Sequence, residues 1–417
     1  MKILLSNVKI LDATSSLNGK TTSIRIENGT IQEIANDLKP QDGEKVIDHK
    51  GLTVSPGWFD ASVSVGEPGY EDRENLQNAL KVAAKSGFTA MAVNPNNDPI
   101  PDSGADISYL IRKSEGNAVK VYPIGALTLK GQGVDLAELH DMKLAGAAAY
   151  GDYQHPVENP NLLKIALQYT QGFDGLVLSF PQENQLVGKG IVHEGEVSTR
   201  LGLKGIPAFA EELHIARDLK ILEYTGGKLH IPTISTKGAV ELIKKAKADG
   251  LQVTCGVAVA NLIFTDEKLE DFDTRYKVMP PLRDESHRQA LIEGVKDGTI
   301  DLICSDHNPL DIEKKKLEFD NAMFGTVSQE ATFGALNALL GEELTIKMLT
   351  AGKSIFGAKP NTIAAGEEAD LTLFTTEEEE YTFKSTDVLS KSKNAAFQGS
   401  KLKGKAIGII ANNQVIL

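Results

Sequence analysis

The chain has 417 residues, of which 41% are hydrophobic and 24% are charged, and its formal net charge is −13. This composition is ordinary for a globular protein, and the length suits one large α/β domain with a small appendage. The acidic balance argues against nucleic acid and against an anionic membrane surface as binding partners.

Both ends of the chain have the pattern of short β-strands. Apolar residues alternate with polar ones at residues 2–5, 8–10, 23–26, 31–34, 370–374, 406–410 and 415–417. Asn28-Gly29 between two of these runs is a strong hairpin signal. Neither end can form a convincing sheet alone, so residues 1–54 and 366–417 are predicted to form one composite β-sandwich domain. The acidic run at residues 377–380 is expected to be a solvated loop.

Strand and helix patterns alternate through residues 55–365. An opening strand at residues 52–65 ends at the turn Glu67-Pro68-Gly69, and helical spacing marks residues 75–84, 207–224 and 239–248. Seven further apolar runs lie at residues 88–95, 119–127, 145–152, 176–180, 228–236, 251–258 and 300–306. The pattern predicts an α/β fold in the form of a (β/α)8 TIM-type barrel. A doubly wound open sheet is the alternative, but no Gly-x-Gly-x-x-Gly turn follows a strand.

The two cysteines, Cys255 and Cys304, fall in apolar runs and are predicted to be small core residues. No window of 18 consecutive apolar residues predicts a membrane span, and the N-terminus lacks a charged-then-apolar leader pattern. A cytoplasmic location is therefore expected.

Reactive side chains of such a barrel lie at the C-terminal ends of its strands. A hydrolytic metal site needs about three nitrogen, oxygen or sulfur ligands, and no two histidines here are spaced His-x-His. Two interpretations stay open: a reduced metal site at Asp152 and Asp306, or a mouth whose carboxylates are satisfied by hydrogen bonds, which is favoured. Because neighbouring strand residues face opposite sides, Asp306 rather than His307 should face the mouth. His230 is predicted to be a buried core histidine.

Several motifs occur in an order and spacing typical of one family. They are Glu67-Pro68-Gly69, Asn94-Pro95-Asn96-Asn97-Asp98-Pro99, Met279-Pro280-Pro281-Leu282-Arg283, Ser305-Asp306-His307-Asn308-Pro309 and Ser390-Lys391-Ser392-Lys393-Asn394. This set resembles the dihydroorotases, in the cyclic amidohydrolase branch of the amidohydrolase superfamily, and the resemblance covers nearly the whole chain. It implies a hydrolase fold and a place in pyrimidine biosynthesis.

The resemblance also implies that the metal site is degenerate. Ser62 and Ser64 stand where the family has its His-x-His pair, and Phe180 and Thr233 stand at two further histidine ligands. The residual ligand positions are Asp152 and Asp306, and the latter matches the family's general base, here vestigial. No metal site is therefore assigned, and no cofactor is expected.

The substrate contacts implied by the resemblance are incomplete as well. Asn96 matches an asparagine that helps to hold the substrate carboxylate. Gly66 replaces the arginine that grips the same carboxylate, and Leu310 replaces a substrate-binding histidine. Ala260-Asn261 replaces a His-His pair after the seventh strand.

These departures predict a pseudoenzyme: a dihydroorotase-like protein that is not catalytic. The resemblance implies a structural role beside aspartate carbamoyltransferase and a homodimer. The alternative is an active dihydroorotase, or a related cyclic amidohydrolase, that uses zinc at Asp152 and Asp306. A third possibility is a metal-free protein that binds a small molecule in the same mouth.

Overall fold

The computed structural model describes residues 1–376 and 380–417, so most of the acidic run at residues 377–380 lies outside the described residues. In chain order, the strands are β1 (Lys2–Ile10), β2 (Thr21–Glu27), β3 (Thr30–Ala35), β4 (Lys45–Ile47), β5 (Leu52–Pro56), β6 (Trp58–Val63), β7 (Phe88–Val93), β8 (Lys120–Gly125), β9 (Ala149–Tyr150), β10 (Leu176–Leu178), β11 (Val192–His193), β12 (Gly205–Ile206), β13 (Lys228–Ile231), β14 (Val253–Ala258), β15 (Leu302–Cys304), β16 (Leu371–Thr375), β17 (Tyr381–Thr382), β18 (Lys401–Leu402), β19 (Lys405–Ala411) and β20 (Gln414–Ile416).

The helices lie mainly between the strands of the barrel. They are α1 (Leu76–Lys85), α2 (Gly104–Ser114), α3 (Leu139–Ala145), α4 (Pro160–Thr170), α5 (Asn184–Val187), α6 (Glu196–Leu201), α7 (Ala208–Thr225), α8 (Lys237–Ala248), α9 (Val259–Ile263), α10 (Glu285–Asp297), α11 (Ile312–Lys315), α12 (Gln329–Leu340), α13 (Glu342–Thr350) and α14 (Gly352–Ile355). No helix in the described part of the chain is long and apolar enough to cross a membrane.

One sheet combines strands from both ends of the chain, with the order β20-β19-β16-β5-β1-β2-β3 and with β4 paired to β1. The antiparallel pairing of β16 with β5 joins the C-terminal strands to the N-terminal ones. Asn28 and Gly29 connect β2 to β3 and both have positive φ, as a tight hairpin turn requires. The predicted hairpin and the joint sheet of the two termini are confirmed.

The strands β6, β7, β8, β9, β10, β13, β14 and β15 form a parallel sheet in that order. The sheet closes through a bridge between Val63 and His307, where the Ser64 amide donates to the His307 carbonyl over 2.8 Å. The His307 amide in turn donates to the Ser62 carbonyl over 3.2 Å. The predicted (β/α)8 barrel is confirmed, and the residues of its first and last strands meet at the mouth.

The predicted opening strand at residues 52–65 is wrong in one respect, because it is two strands. β5 belongs to the terminal sheet, and β6 is the first strand of the barrel. Gly57 separates them, and a Cβ at this position would lie 2.1 Å from Asp370 Oδ1 and 2.1 Å from Thr89 Oγ1. Only glycine fits where the chain passes from one sheet to the other.

Apolar side chains fill the barrel interior. Phe59 from the first strand stacks on Phe356, which follows α14, with ring centroids 5.4 Å apart. His230 packs edge-on against Phe356, and its Nδ1 lies 2.8 Å from Thr254 Oγ1. Burial lowers the pKa of His230 to about 3, so the ring is neutral and the predicted core histidine is confirmed. Cys255 and Cys304 are buried free thiols, also as predicted.

Candidate functional site at the barrel mouth

The C-terminal ends of the barrel strands surround a narrow cavity with a free volume of about 20 Å³. This is room for about one water molecule. The cavity is lined by Ala61, Ser62, Asn94, Pro95, Ile124, Asp152, Tyr153, Gln154, Leu178, Phe180, Pro232, Thr233, Asp306 and Phe356. It therefore brings together five of the residues singled out from the sequence: Ser62, Asp152, Phe180, Thr233 and Asp306.

Asp306 faces this cavity from the end of β15. Its Oδ1 accepts a hydrogen bond from Ser62 Oγ at 2.8 Å, and the Tyr153 hydroxyl lies 3.5 Å away. Burial, assisted by the charge of Asp60, raises the pKa of Asp306 to about 7, although the Ser62 hydrogen bond opposes the shift. Its backbone φ of 47° is left-handed, which is uncommon for any residue except glycine. The neighbouring His307 is turned away, with Nδ1 3.3 Å from the Gln329 amide.

Asp152 is held by the loop that follows β8. Its Oδ1 accepts from the Leu127 and Thr128 amides at 2.9 and 3.0 Å, and its Oδ2 accepts from Thr128 Oγ1 at 2.6 Å. Burial raises the pKa of Asp152, and these three hydrogen bonds oppose the shift. Both carboxylate oxygens are thus committed to holding the residues at 127 and 128.

A network of hydroxyl and amide groups occupies the ends of the first two barrel strands. Asn94 Nδ2 lies 3.1 Å from Ser62 Oγ and 3.3 Å from Ser64 Oγ. Asn96 Nδ2 donates to Ser64 Oγ at 2.9 Å, whereas its buried Oδ1 has no hydrogen-bond partner among the described residues. Ser64 and Asn96 therefore adjoin the cavity through Asn94 but are outside its lining.

Sequence reasoning missed Tyr153 and Gln154, which follow Asp152 directly. Tyr153 has a φ of 54° and lines the cavity. Gln154 Nε2 donates to the Tyr153 hydroxyl at 3.2 Å and to the Met279 carbonyl at 2.8 Å. This contact ties the loop after the fourth barrel strand to the Met-Pro-Pro-Leu-Arg segment. Adjacency to Asp152 was the only sequence signal for these two residues.

The other positions at which a side chain expected from the family resemblance is replaced are buried and packed against their neighbours. Phe180 packs with Ile206 and Met279 and closes one side of the cavity. Leu310 is 2% exposed, and Asn261 Nδ2 donates to the Pro281 carbonyl at 3.0 Å.

Gly66 lies in a tight turn that follows the first barrel strand, where its carbonyl accepts from the Tyr70 amide at 2.6 Å. A Cβ at Gly66 would lie only 2.0 Å from the Tyr70 carbonyl oxygen and 2.8 Å from that of Glu74. No residue with a side chain can occupy this position while the turn keeps its observed backbone.

A second cluster of possible ligands consists of His193, Asp284 and His287, which are not among the residues that line the cavity. Arg283 donates to His193 Nδ1 at 3.2 Å, and the Lys237 amide donates to His287 Nδ1 at 2.9 Å. Since both donors are obligatory, each Nδ1 is an acceptor and each neutral ring carries its proton on Nε2. A metal ion would need the Nε2 lone pairs, so these tautomers favour a hydrogen-bonded cluster around Asp284 rather than a metal centre.

Comparison with known proteins places the chain in a family. The family model described as Dihydro-orotase-like matches residues 51–239. The chain is 37% identical to the dihydroorotase of Geobacter metallireducens, with 100% of this chain and 99% of that protein covered. It is 40% identical to the dihydroorotase of Ruminiclostridium cellulolyticum, with 97% and 96% covered.

The chain belongs to the dihydroorotase family. Among solved structures, the L-hydantoinase of Arthrobacter aurescens superposes with a TM-score of 0.85 at 19% identity, covering 99% of this chain and 95% of that one. The D-hydantoinase from Thermus sp. gives a TM-score of 0.81 at 20% identity, covering 99% of this chain and 94% of that one. These neighbours show that the chain shares their fold.

Proposed function

We propose that this dihydroorotase-family protein is not catalytic and serves in pyrimidine biosynthesis as a structural partner of aspartate carbamoyltransferase. The observation that carries the proposal is the composition of the barrel mouth. Among the described residues, the groups that line it are carboxylates, hydroxyls, amides and apolar side chains, and none of them is an imidazole.

This donor set does not fit a hydrolytic zinc centre. Catalytic zinc sites use about three protein ligands, most often including imidazoles, and keep one position open. Of the two carboxylates described in the lining, Asp152 and Asp306, the first already accepts three hydrogen bonds from Leu127 and Thr128. A water molecule without a bound cation keeps its bulk pKa of about 15.7 and is not a hydroxide nucleophile at neutral pH.

The space available also argues against turnover. Pockets for small molecules usually have volumes of about 300–1,000 Å³. The free volume of the mouth is about 20 Å³, because Tyr153, Phe180 and Phe356 all reach into it. This argues equally against a metal-free binding protein that uses the same mouth.

The side chains with which the family resemblance implies binding of a substrate carboxylate are replaced at positions 66 and 310. An arginine at position 66 would require a different turn, because a Cβ at Gly66 would lie 2.0 Å from the Tyr70 carbonyl oxygen. Leu310 is buried in the apolar packing. A carboxylate ligand would therefore lose the charge-assisted hydrogen bonds that fix its orientation.

Metal analysis and activity on one sample test the proposal against the alternative of hydrolysis with Asp152 and Asp306. The protein is purified without chelator, supplied with zinc, and assayed for ring opening of dihydroorotate. We expect substoichiometric zinc and no turnover. Stoichiometric zinc with turnover that disappears in Asp306→Ala, but persists in a control with the exposed Asp72→Ala, would overturn the proposal.

The partner is tested separately. The chain is co-expressed with the aspartate carbamoyltransferase of the same organism, and the mixture is sedimented at micromolar concentration. We expect a complex that sediments faster than either protein alone. Independent sedimentation would remove the structural role and leave the conclusion about catalysis unaffected.

A further inference from the structure

A groove separate from the barrel mouth lies between the turn after β6, the loop after β7 and the first two turns of α2. Its free volume is about 310 Å³, and eight residues line it. The groove and the mouth cavity share none of their described lining residues. Pockets for small molecules usually have volumes of about 300–1,000 Å³, so this groove has room for a small ligand where the mouth has not.

The walls of the groove are held together by backbone contacts. The Asp98 amide donates to the Pro68 carbonyl at 3.2 Å, and a Cβ at Gly69 would lie 2.2 Å from the Asp98 carbonyl oxygen. The turn after β6 and the loop after β7 therefore touch along the main chain. Pro101 is fixed from another side, because the Ala126 amide donates to its carbonyl at 2.8 Å. A groove that is already formed costs a ligand little ordering entropy.

The apolar part of the lining favours a flat ring. Pro68, Pro99 and Pro101 contribute pyrrolidine rings, and Tyr109, which is 41% exposed, contributes an aromatic one. The Lys113 ammonium donates to the Tyr109 hydroxyl at 3.0 Å and lies 5.3 Å from the centre of its ring, which holds the phenol in place. Aromatic ligands suit such a lining, because they bury a large apolar area in a rigid shape.

The polar part of the lining is rich in acceptors. Proline has no backbone N–H, and Asn97 Nδ2 already donates to the Val65 carbonyl at 2.7 Å. Asn97 is 3% exposed, and its Oδ1 accepts no hydrogen bond from the part of the chain that the structure describes. Asp106 adds a carboxylate, whose Oδ2 accepts from Ser103 Oγ at 2.7 Å. Because an unpaired buried acceptor is costly, a ligand N–H that reaches Asn97 Oδ1 would be strongly favoured.

We propose that this groove binds a small aromatic heterocycle, neutral or cationic, whose ring N–H donates to Asn97 Oδ1. The charge preference follows from the Asp106 carboxylate, because the Lys113 ammonium is already paired with Glu67. A free small molecule is favoured over a partner protein, since each side of a stable protein interface contributes about 20–30 residues and eight line this groove. The proposal does not depend on whether the mouth is catalytic.

Indole and 1-methylindole test the hydrogen bond without any change to the protein. Calorimetric titration of the full chain should give saturable binding of indole with a Kd of about 1 mM or lower. 1-Methylindole keeps the ring but lacks the N–H, so its Kd should be at least about 5-fold higher. Tryptamine, a cation, should bind more tightly than indole-3-acetate, an anion. Equal affinities for indole and 1-methylindole would overturn the proposal, as would tighter binding of the anion or no saturable binding of indole up to about 5 mM.

Two variants and a soaked crystal test the location. Ala105 is an exposed lining residue on α2, so the indole side chain of Ala105→Trp should fill the groove and abolish the binding of free indole. The matched control, Ala248→Trp at an exposed alanine of α8, should bind indole like the wild type. Binding that persists in Ala105→Trp would overturn the proposal. If urea denaturation shows that Ala105→Trp is unfolded, a wild-type crystal soaked with indole decides. Density in the groove, with the ring nitrogen within about 3.2 Å of Asn97 Oδ1, supports the proposal, and density only elsewhere overturns it.

Discussion

Ser62 Oγ donates a hydrogen bond of 2.8 Å to Asp306 Oδ1. The bond joins the first and last strands of the barrel at the position where the family resemblance places two metal ligands. It opposes the rise in the pKa of Asp306 that burial causes. A serine hydroxyl thus performs part of the charge compensation that a cation would otherwise supply.

Replacement of Ser62 by alanine should destabilise the protein. The buried Asp306 carboxylate loses a charge-assisted donor, which should lower the free energy of unfolding by about 1–3 kcal/mol. Urea denaturation measures the change. Ser16→Ala, at an exposed position, is the control and should change the free energy of unfolding by less than about 0.5 kcal/mol. Equal stability of the Ser62→Ala variant and the wild type would contradict this account.

Asp152 should behave as a structural anchor. Alanine removes the acceptor of three hydrogen bonds from residues 127 and 128, and we expect a loss of about 3 kcal/mol. Asparagine keeps an acceptor for the two amides, and the Thr128 hydroxyl can rotate to accept, so the loss should be about 1 kcal/mol. Urea denaturation of both variants checks this order. Similar losses in both would contradict the anchoring role.

The sequence was sufficient to predict the barrel and to identify residues at the C-terminal ends of its strands. Apolar runs of strand length, separated by helical spacing, gave the eight barrel strands, and alternation placed Asp306 rather than His307 at the mouth. The joint sheet was predictable because neither terminus could complete a sheet alone.

The closure of the mouth could not be predicted from the sequence. It depends on Tyr153, whose left-handed backbone directs its side chain, and on Gln154, which donates to the Met279 carbonyl far along the chain. Neither contact has a local pattern. The division of the opening strand into two was missed for a related reason. The side chains of Asp370 and Thr89, which are distant in sequence, leave no room for a Cβ at Gly57.

Gly66 should tolerate no side chain. In Gly66→Ala the new Cβ would lie 2.0 Å from the Tyr70 carbonyl oxygen, so the turn must shift, and we expect a loss of about 2 kcal/mol or more. The control is Gly172→Ala, where a Cβ meets nothing within 4 Å. Thermal unfolding of both variants measures the contrast. A Gly66→Ala protein as stable as the control would show that the turn relaxes freely and that an arginine could be accommodated there.

Lys315 is a buried cation in the loop after the eighth strand. Lys315 is only 6% exposed, and its ammonium donates a hydrogen bond to the Met323 carbonyl at 2.9 Å. Burial, together with the nearby charge of Lys277, lowers the pKa of Lys315 from 10.5 to about 7. Between about pH 7 and pH 10.5, the folded protein therefore binds fewer protons than the unfolded chain.

This shift fixes the sign of a pH dependence. The contribution of Lys315 to stability is fully present above pH 10.5, where the lysine is neutral in both states, and is lost as the pH falls toward about 7. Lys315→Met should remove the dependence. From pH 7 to about pH 9.5 the wild type should gain stability relative to this variant, on the order of 2 kcal/mol. Urea denaturation at both pH values measures the gain, with the exposed Lys316→Met as control. Parallel pH profiles for wild type and Lys315→Met would mean that the Lys315 ammonium is already well solvated in the folded loop.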